Sequence, residues 1–490
     1  MTRVSPRGVL PGAIAETAPL LVANSARKSA PTPSTRVLQR STRGVKADRP
    51  APRAEAAAAS QHAAAVGFEN AEEDAAKVKK PSRWPRIAAM IGAAMLFVGS
   101  CSVAKPPLDA TPEVDPCHAV AEAGTSACTT GNHLELLVDG PAYQQKLISE
   151  IDRAQSSVWL NVFQLQDDPT SGTIVDALLR AQERGVDVRV VVDNRESSGD
   201  FKGDPHVNSQ VQRLIDAGIA VARPTYGGYR VNHRKVVVID GDRAFESGAN
   251  IGGSYLLPRE NGWSYHDATI FVRGPAVRDI AAVFVQSLVD AGGPRLELPP
   301  RMAAIPDAPF ADAQTQIVWH RGGADRYIER EYVQRIDAAR DRVVVMNGFS
   351  MTDEVADAMI RAHERGVSVT WIWGRVSNDG QIMAQDSINR LIAAGVPVLR
   401  FEGPLHMKAA LFDDVVIIGS SNIDGFSMWR NDEMVLQVKS QAFAHEADQK
   451  IFTPALVASP RLSAAPTDFR DNGSVRAFVV EHVVTPLVNR

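Results

Sequence analysis

From Ile174 to Asn194 the chain reads IVDALLRAQERGVDVRVVVDN. Apolar residues recur at 174, 175, 178 and 179, and past Gly185 they alternate at 186, 188 and 190 before closing in Val191 and Val192. The first spacing lays one stripe along an α-helix, the second is that of a strand, and the glycine is the stop between them. The pattern returns at 355–375 as VADAMIRAHERGVSVTWIWGR, with the Arg-Ala-x-Glu-Arg-Gly-Val core displaced by 181 residues. VQRLIDAGIAVARP at 211–224 likewise answers INRLIAAGVPVLRF at 388–401, and IDRAQSSVWLNVF at 151 answers IDAARDRVVVMNGF at 336. Three matched segments in one order predict two copies of one α/β unit. They place a first lobe over 133–291 and a second over 321–455, a Pro-rich linker over 292–320 between them, and a tail over 456–490.

The pattern changes before residue 133. Residues 1–77 are rich in Ala, Pro, Ser, Thr and Arg without sustained periodicity, so no packed structure is expected there. VKKPSRWPRIAAMIGAAMLFVGSC then sets a basic stretch before an uncharged run from Ile87 to Ser100, too short for a comfortable membrane span but suited to a signal peptide over 78–101. VGSC resembles the lipobox of bacterial lipoproteins, which would make Cys101 the lipidated first residue of an exported, membrane-anchored chain; an uncleaved anchor is the alternative. Because this leader lies some 80 residues in, translation is expected to begin nearer VKK, with Val78 as a candidate start. Only Cys117 and Cys128 follow, in a linker over 102–132, and an oxidising compartment would join them in one disulfide, two free thiols being the alternative.

Composition adds one restriction. The 490 residues are 44% hydrophobic, enough for sizeable cores, and the net charge of −4 is unevenly spread: residues 1–100 hold 15 Lys and Arg against 7 Asp and Glu, the remainder 38 against 50. An acidic main body argues against sequence-independent binding of duplex nucleic acid.

The duplication carries chemistry. NHRKVVVIDGDRAFESGAN places His233 and Lys235 two apart, on one face of an extended segment, with Asp240 and Asn250 beyond. HMKAALFDDVVIIGSSN repeats the set as His406, Lys408, Asp413 and Asn422. A carboxylate follows each, Asp267 thirty-four residues after the first histidine and Glu433 twenty-seven after the second. Lysines and asparagine amides can stabilise charge on phosphoryl oxygens, imidazole is both nucleophile and leaving group, and a carboxylate can fix its tautomer, the role expected of Asp267 and Glu433. Asp240 and Asp413 complete the catalytic motif. Lying at strand ends before turns, they are expected to pair structurally rather than to touch substrate. No His-x3-His or Cys-x2-Cys pair suggests a metal, no cofactor is implied, and the Gly-rich stretches lack the spacing of a nucleotide loop.

With both copies of His-x-Lys-x4-Asp in view, the chain resembles the phospholipase D superfamily. NHRKVVVIDG, SGANIG and HDATIFVRGPAV are similar to bacterial cardiolipin synthases and related phosphatidyltransferases. The resemblance runs from about Leu136 to Phe452. It implies two pseudo-twofold-related lobes, each a mixed sheet flanked by helices, with one active site between them. It further implies His233 as nucleophile and His406 as the acid that protonates the leaving alcohol, a pair of roles that pseudo-symmetry leaves open to reversal. The substrate would be a phospholipid at a membrane surface and the acceptor water or an alcohol. A nuclease is the alternative enzyme and a non-catalytic lipid-binding lipoprotein the third reading. Two departures stand out: the second copy has five residues, not six, between Asp413 and GSSN, which suggests a tighter turn before Asn422, and Glu246 and Ser247 replace an apolar residue and a glycine.

Overall fold

The computed structural model describes residues 124–198, 207–226, 230–323, 325–375 and 378–466. The expected leader, Cys101, Cys117 and the end of the tail lie outside them. Cys128 is disulfide-bonded.

The first lobe runs β1 (His133–Val138), α1 (Gly140–Asp152), β2 (Ser157–Val162), α2 (Pro169–Glu183), β3 (Asp187–Val192), α3 (Ser209–Asp216), β4 (Ala220–Ala222), β5 (Val236–Ile239), β6 (Arg243–Ser247), α4 (Gly253–Leu256), β7 (Ala268–Arg273) and α5 (Val277–Asp290). The second runs β8 (Gln314–His320), α6 (Tyr327–Ala338), β9 (Arg342–Asn347), α7 (Asp353–Glu364), β10 (Ser368–Arg375), α8 (Asn378–Ala393), β11 (Val398–Pro404), β12 (Lys408–Phe412), β13 (Val415–Gly419), α9 (Gly425–Trp429), β14 (Glu433–Lys439), α10 (Gln441–Ala447) and α11 (Thr453–Ala458). The periodic segments form the expected helices and strands, and Gly185, Gly218, Gly366 and Gly395 take φ of 80 to 89°, the left-handed turn that ends each helix.

Each lobe is built on a seven-stranded mixed sheet. The orders are β1-β7-β6-β5-β2-β3-β4 and β8-β14-β13-β12-β9-β10-β11, the same topology twice. Strands joined by helices pair in parallel, β2 with β3 and β9 with β10, while the motif hairpins β5–β6 and β12–β13 pair antiparallel beside them. All four residues of β5 and all five of β12 are buried, as strands covered on both faces should be. One core lies between the two sheets, holding Val236, Val238 and Ile270 of the first with Met346, Met407 and Ile418 of the second; two outer cores lie under the helices.

The linker is shorter than the prolines suggested. QTQIVWH at 314–320 is β8, paired over seven residues with β14, so the second lobe begins inside the stretch expected as linker. The prolines end at Pro309 and a run of buried residues takes over from Thr315. The leading segment also packs: Thr125 bridges Val318 and Thr129 bridges Thr315 along the outer edge of β8.

Candidate active site

The two histidine segments meet between the lobes by exchanging backbone hydrogen bonds. The His233 amide donates to the Asp432 carbonyl at 3.0 Å and the Asp432 amide to the Val231 carbonyl at 2.9 Å. In the other half, the His406 amide donates to the His266 carbonyl at 3.0 Å and the His266 amide to the Pro404 carbonyl at 3.0 Å. The residue before each motif histidine is thus bridged in parallel to the residue before the carboxylate of the other lobe, Asn232 to Asp432 and Leu405 to His266.

This exchange decides which acid holds which histidine. Counting along the chain assigns Asp267 to His233 and Glu433 to His406; the structure crosses them. His233 Nδ1 lies 2.9 and 3.1 Å from the two carboxylate oxygens of Glu433, and His406 Nδ1 lies 2.6 Å from Asp267 Oδ2. An N–H on each Nδ1 leaves Nε2 as the basic nitrogen. Lys408 Nζ is 3.0 Å from His406 Nδ1, but an ammonium and an N–H cannot both donate into that contact, so the shorter carboxylate bond sets the tautomer. Lys235 and Lys408 each donate to the backbone carbonyl of the histidine two residues before them.

The site is dry. Burial pulls His233 down to about 4, against the attraction of Glu433, and burial together with the Lys408 charge pulls His406 down to about 3. Both are therefore neutral at pH 7. Burial also lowers Lys235 to about 7 and Lys408 to about 8, with Glu433 and Asp267 respectively opposing it most strongly. Burial pushes Glu433 and Asp267 upward, but their partners outweigh it and hold both carboxylates below the usual range.

Aromatic rings wall the histidines. Phe163, just past β2, meets His233 edge-on at 4.6 Å, while Tyr255 and Tyr265 pack on His406 at 5.0 and 5.3 Å. Asn250 accepts from the Gln164 amide at 3.2 Å and bonds the Tyr255 hydroxyl; Asn422 keeps a buried Oδ1 with no partner among the described residues. A cavity of about 450 Å³ is lined by Trp263, Tyr265, Arg400 and Phe401, and the Tyr265 ring is shared with the wall of His406. A larger one of about 600 Å³ lies near Gln314, Asp414 and Lys439, at the end of β12 remote from His406.

Eight of the expected residues therefore lie on the segments that meet here: both histidines, both lysines, both asparagines, Asp267 and Glu433. Asp240 and Asp413 stand apart, at the far ends of β5 and β12. Asp240 accepts from the amides of Gln155, Ser156 and Ser157 and pairs with Arg243; Asp413 accepts from the amides of Arg340, Asp341 and Arg342. The residue missing from the second copy falls in the hairpin loop, Asp413–Asp414 against Asp240–Asp242, so the tighter turn expected before Asn422 lies at the motif hairpin and not beside the asparagine.

Other contributors were not singled out from sequence. Ser420, within the quoted GSSN, donates to Glu433. Its counterpart Gly248 has no room for a side chain, since a Cβ there would stand 2.2 Å from Asp267 Oδ1. Ser247 bonds Thr269 Oγ1 at 2.6 Å and receives the Ala249 amide, which accounts for a hydroxyl where a glycine was expected. Arg234 turns away from the pocket and is fully buried, donating to the carbonyls of Glu433 and His320 and to Ser287.

Comparison with known proteins points one way. A family model described as cardiolipin synthase, PLD-like domain, matches residues 147–284 and 332–453. Cardiolipin synthase A of Pseudomonas fluorescens strain SBW25 is 31% identical over 348 residues, 68% of this chain and 70% of that protein. Cardiolipin synthase B of Salmonella typhimurium strain LT2 is 30% identical over 332 residues, 64% of this chain and 78% of its own. The crystal structure of phosphatidylserine synthase from Haemophilus influenzae Rd KW20 superposes with a TM-score of 0.53 at 15% identity, covering 72% of this chain and 92% of the other, and so shares the fold.

Proposed function

The chain belongs to the cardiolipin synthase, phospholipase D-like family of phosphatidyltransferases, and from that premise we propose that it moves a phosphatidyl group from a phospholipid to an alcohol or to water through a phosphohistidine. The observation that carries the reading is the pair of neutral imidazoles, each with Nδ1 pinned by a buried carboxylate and Nε2 left basic, beside two lysines.

In the first half-reaction His233 Nε2 attacks phosphorus, the P–N bond forms, and the bond from phosphorus to the headgroup oxygen breaks. His406, protonated on Nε2 once the anion is bound, gives that proton to the departing oxygen. In the second half-reaction His406 takes the proton of the incoming hydroxyl, whose oxygen attacks phosphorus and releases His233. Lys235 and Lys408 stabilise the charge that builds on the phosphoryl oxygens, aided by Asn250 and Asn422. Burial suits the chemistry, because an alcohol acceptor competes with water only where water is scarce. Anchoring through a lipidated Cys101 would hold the pocket at a membrane, where both substrates reside.

The test is mass spectrometry of lipids after incubation of the purified protein with phosphatidylglycerol or phosphatidylcholine vesicles, with and without glycerol. Cardiolipin from phosphatidylglycerol is expected, with phosphatidic acid where water intercepts. Degradation of DNA with no lipid product would replace this reading with a nuclease.

A further inference from the structure

The loop that joins α4 to β7 presents an indole to solvent, with Trp263 49% exposed. A lone apolar side chain at a protein surface is ordinary. Two others among the described residues, Ile215 on α3 and Val457 on α11, are of that kind. Trp263 differs in where it stands and in how it is held. Two residues on, the Tyr265 ring packs on His406 at 5.3 Å, so one loop carries an aromatic outward and the next onto an active-site imidazole.

The loop is braced rather than slack. Arg259–Asn261 form a 3₁₀ turn that ends at Gly262, whose φ of 80° is left-handed and whose amide donates to the Arg259 carbonyl at 2.9 Å. Asn261 Oδ1 accepts from the amides of Trp263 and Ser264, both at 2.9 Å, and its Nδ2 donates to Ser264 Oγ at 2.7 Å. The Tyr265 amide then returns the chain to α4 by donating to the Ser254 carbonyl. One edge of the indole rests over α4: the ring and Leu257 Cδ1 each stand 3.4 Å from where a Cβ on Gly253 would lie. Leu257 and Trp263, with the exposed Pro258, therefore make a small apolar knuckle. Beside it lies the 450 Å³ cavity, whose other wall follows the chain from Arg400 to Pro404, two residues short of His406. Charge on the loop and that wall is mixed, Arg259 and Arg400 against Glu260 and Glu402, and Arg259 is taken up by Asp139 and the Phe401 ring.

Resting on the reading of this pocket as a phospholipid site, we propose that the loop over 257–265 is the surface that meets the bilayer, with Trp263 seated between headgroups and acyl chains. A phospholipid whose phosphate must reach two buried histidines while its acyl chains stay in the bilayer obliges the rim beside those histidines to lie against the bilayer. Tryptophan suits that boundary, having a large apolar body and an N–H for the headgroup layer. A loop already braced loses little conformational entropy when the ring is seated. The mixed charge leaves the contact to apolar burial rather than to attraction for anionic lipid.

The full-length protein is mixed with vesicles of phosphatidylcholine and phosphatidylglycerol whose acyl chains carry bromine, which quenches tryptophan on contact. The chain has seven tryptophans, so Trp263 is read as the difference between wild type and Trp263→Phe. Vesicle binding by itself is not the readout, because a lipid anchor at Cys101 would supply it. The difference emission is expected to shift to the blue and to be quenched. Emission that stays unshifted and unquenched with the protein on the vesicles would overturn the proposal, and so would a wild type that never binds them. In turnover, Trp263→Ala is expected to lose several-fold more kcat/KM on phosphatidylglycerol vesicles than on dihexanoyl phosphatidylglycerol dispersed as monomers, and Trp263→Tyr to recover most of that loss. An equal loss on both substrates would make Trp263 part of the substrate pocket and overturn the proposal too. Should Trp263→Ala fail to fold, the quenching measurement, which needs only Trp263→Phe, still decides. Quenched Trp263 in an enzyme that makes no lipid product would sink the reading of the pocket and leave the bilayer contact standing.

Discussion

Glu433→Gln keeps the size of the side chain that holds His233 but removes its charge, and the amide can turn its NH2 toward Nδ1 and favour the wrong tautomer. A loss of 10- to 100-fold in kcat with an unchanged melting profile is expected; a Glu433→Gln enzyme as fast as wild type would remove the carboxylate from the mechanism. His233→Ala and His406→Ala should each abolish turnover, by ~10³-fold or more, measured on the same lipid substrate. The pH profile follows from the lysines. Their charge is present below their folded pKa values and is lost as pH rises through about 7 for Lys235 and about 8 for Lys408, so kcat/KM should fall across that interval. A flat profile from 6.5 to 8.5 would mean that neither lysine titrates in the free enzyme. At this scale the sequence was legible wherever a residue type was repeated: both histidines, lysines and asparagines followed from the second copy. Glu246 and Arg234 were opaque because they differ between copies, and their surroundings come from a strand and a lobe distant in the chain.

The motif aspartates act on elements instead. Asp240 and Asp413 sit at φ of 53° and 51°, each receiving three backbone amides from the segment that leads into β2 or β9. Each clamps a motif hairpin to the start of the neighbouring strand. Asp240→Ala should therefore lower stability by about 1–3 kcal/mol, seen as a lower Tm in calorimetry, with kcat per folded molecule within twofold of wild type. Asp240→Asn should cost less, since asparagine tolerates the left-handed backbone and keeps an acceptor. A variant that keeps its Tm but loses kcat would place the aspartate in the chemistry. Turn position made this structural role readable in advance. The edge strand β8 was not readable, because a seven-residue strand beside β14 gives no periodic signal of its own, and the prolines before it masked its start.

The two lobes are held together by the core between the sheets rather than by the linker. Inserting a protease site between Pro294 and Arg295 and cutting there should leave two fragments that co-elute on size exclusion and retain phosphatidyl transfer; separation of the halves without denaturant would contradict the shared core. The internal repeat made two lobes legible, yet nothing along the chain reveals that each histidine is served by the opposite lobe, since that pairing exists only after docking. The crossed bridges carry an evolutionary consequence. One lobe alone owns a histidine and an acid that cannot reach each other, so the smallest ancestor with a working site is two identical chains related by a true twofold. Once the two copies shared one gene, each half was free to drift, and drift had to stop at the crossed pairs: a loss in either copy has no spare in the other. Arg234 against Met407 and Glu246 against Ile418 record that freedom, and the histidines with their borrowed acids record its limit.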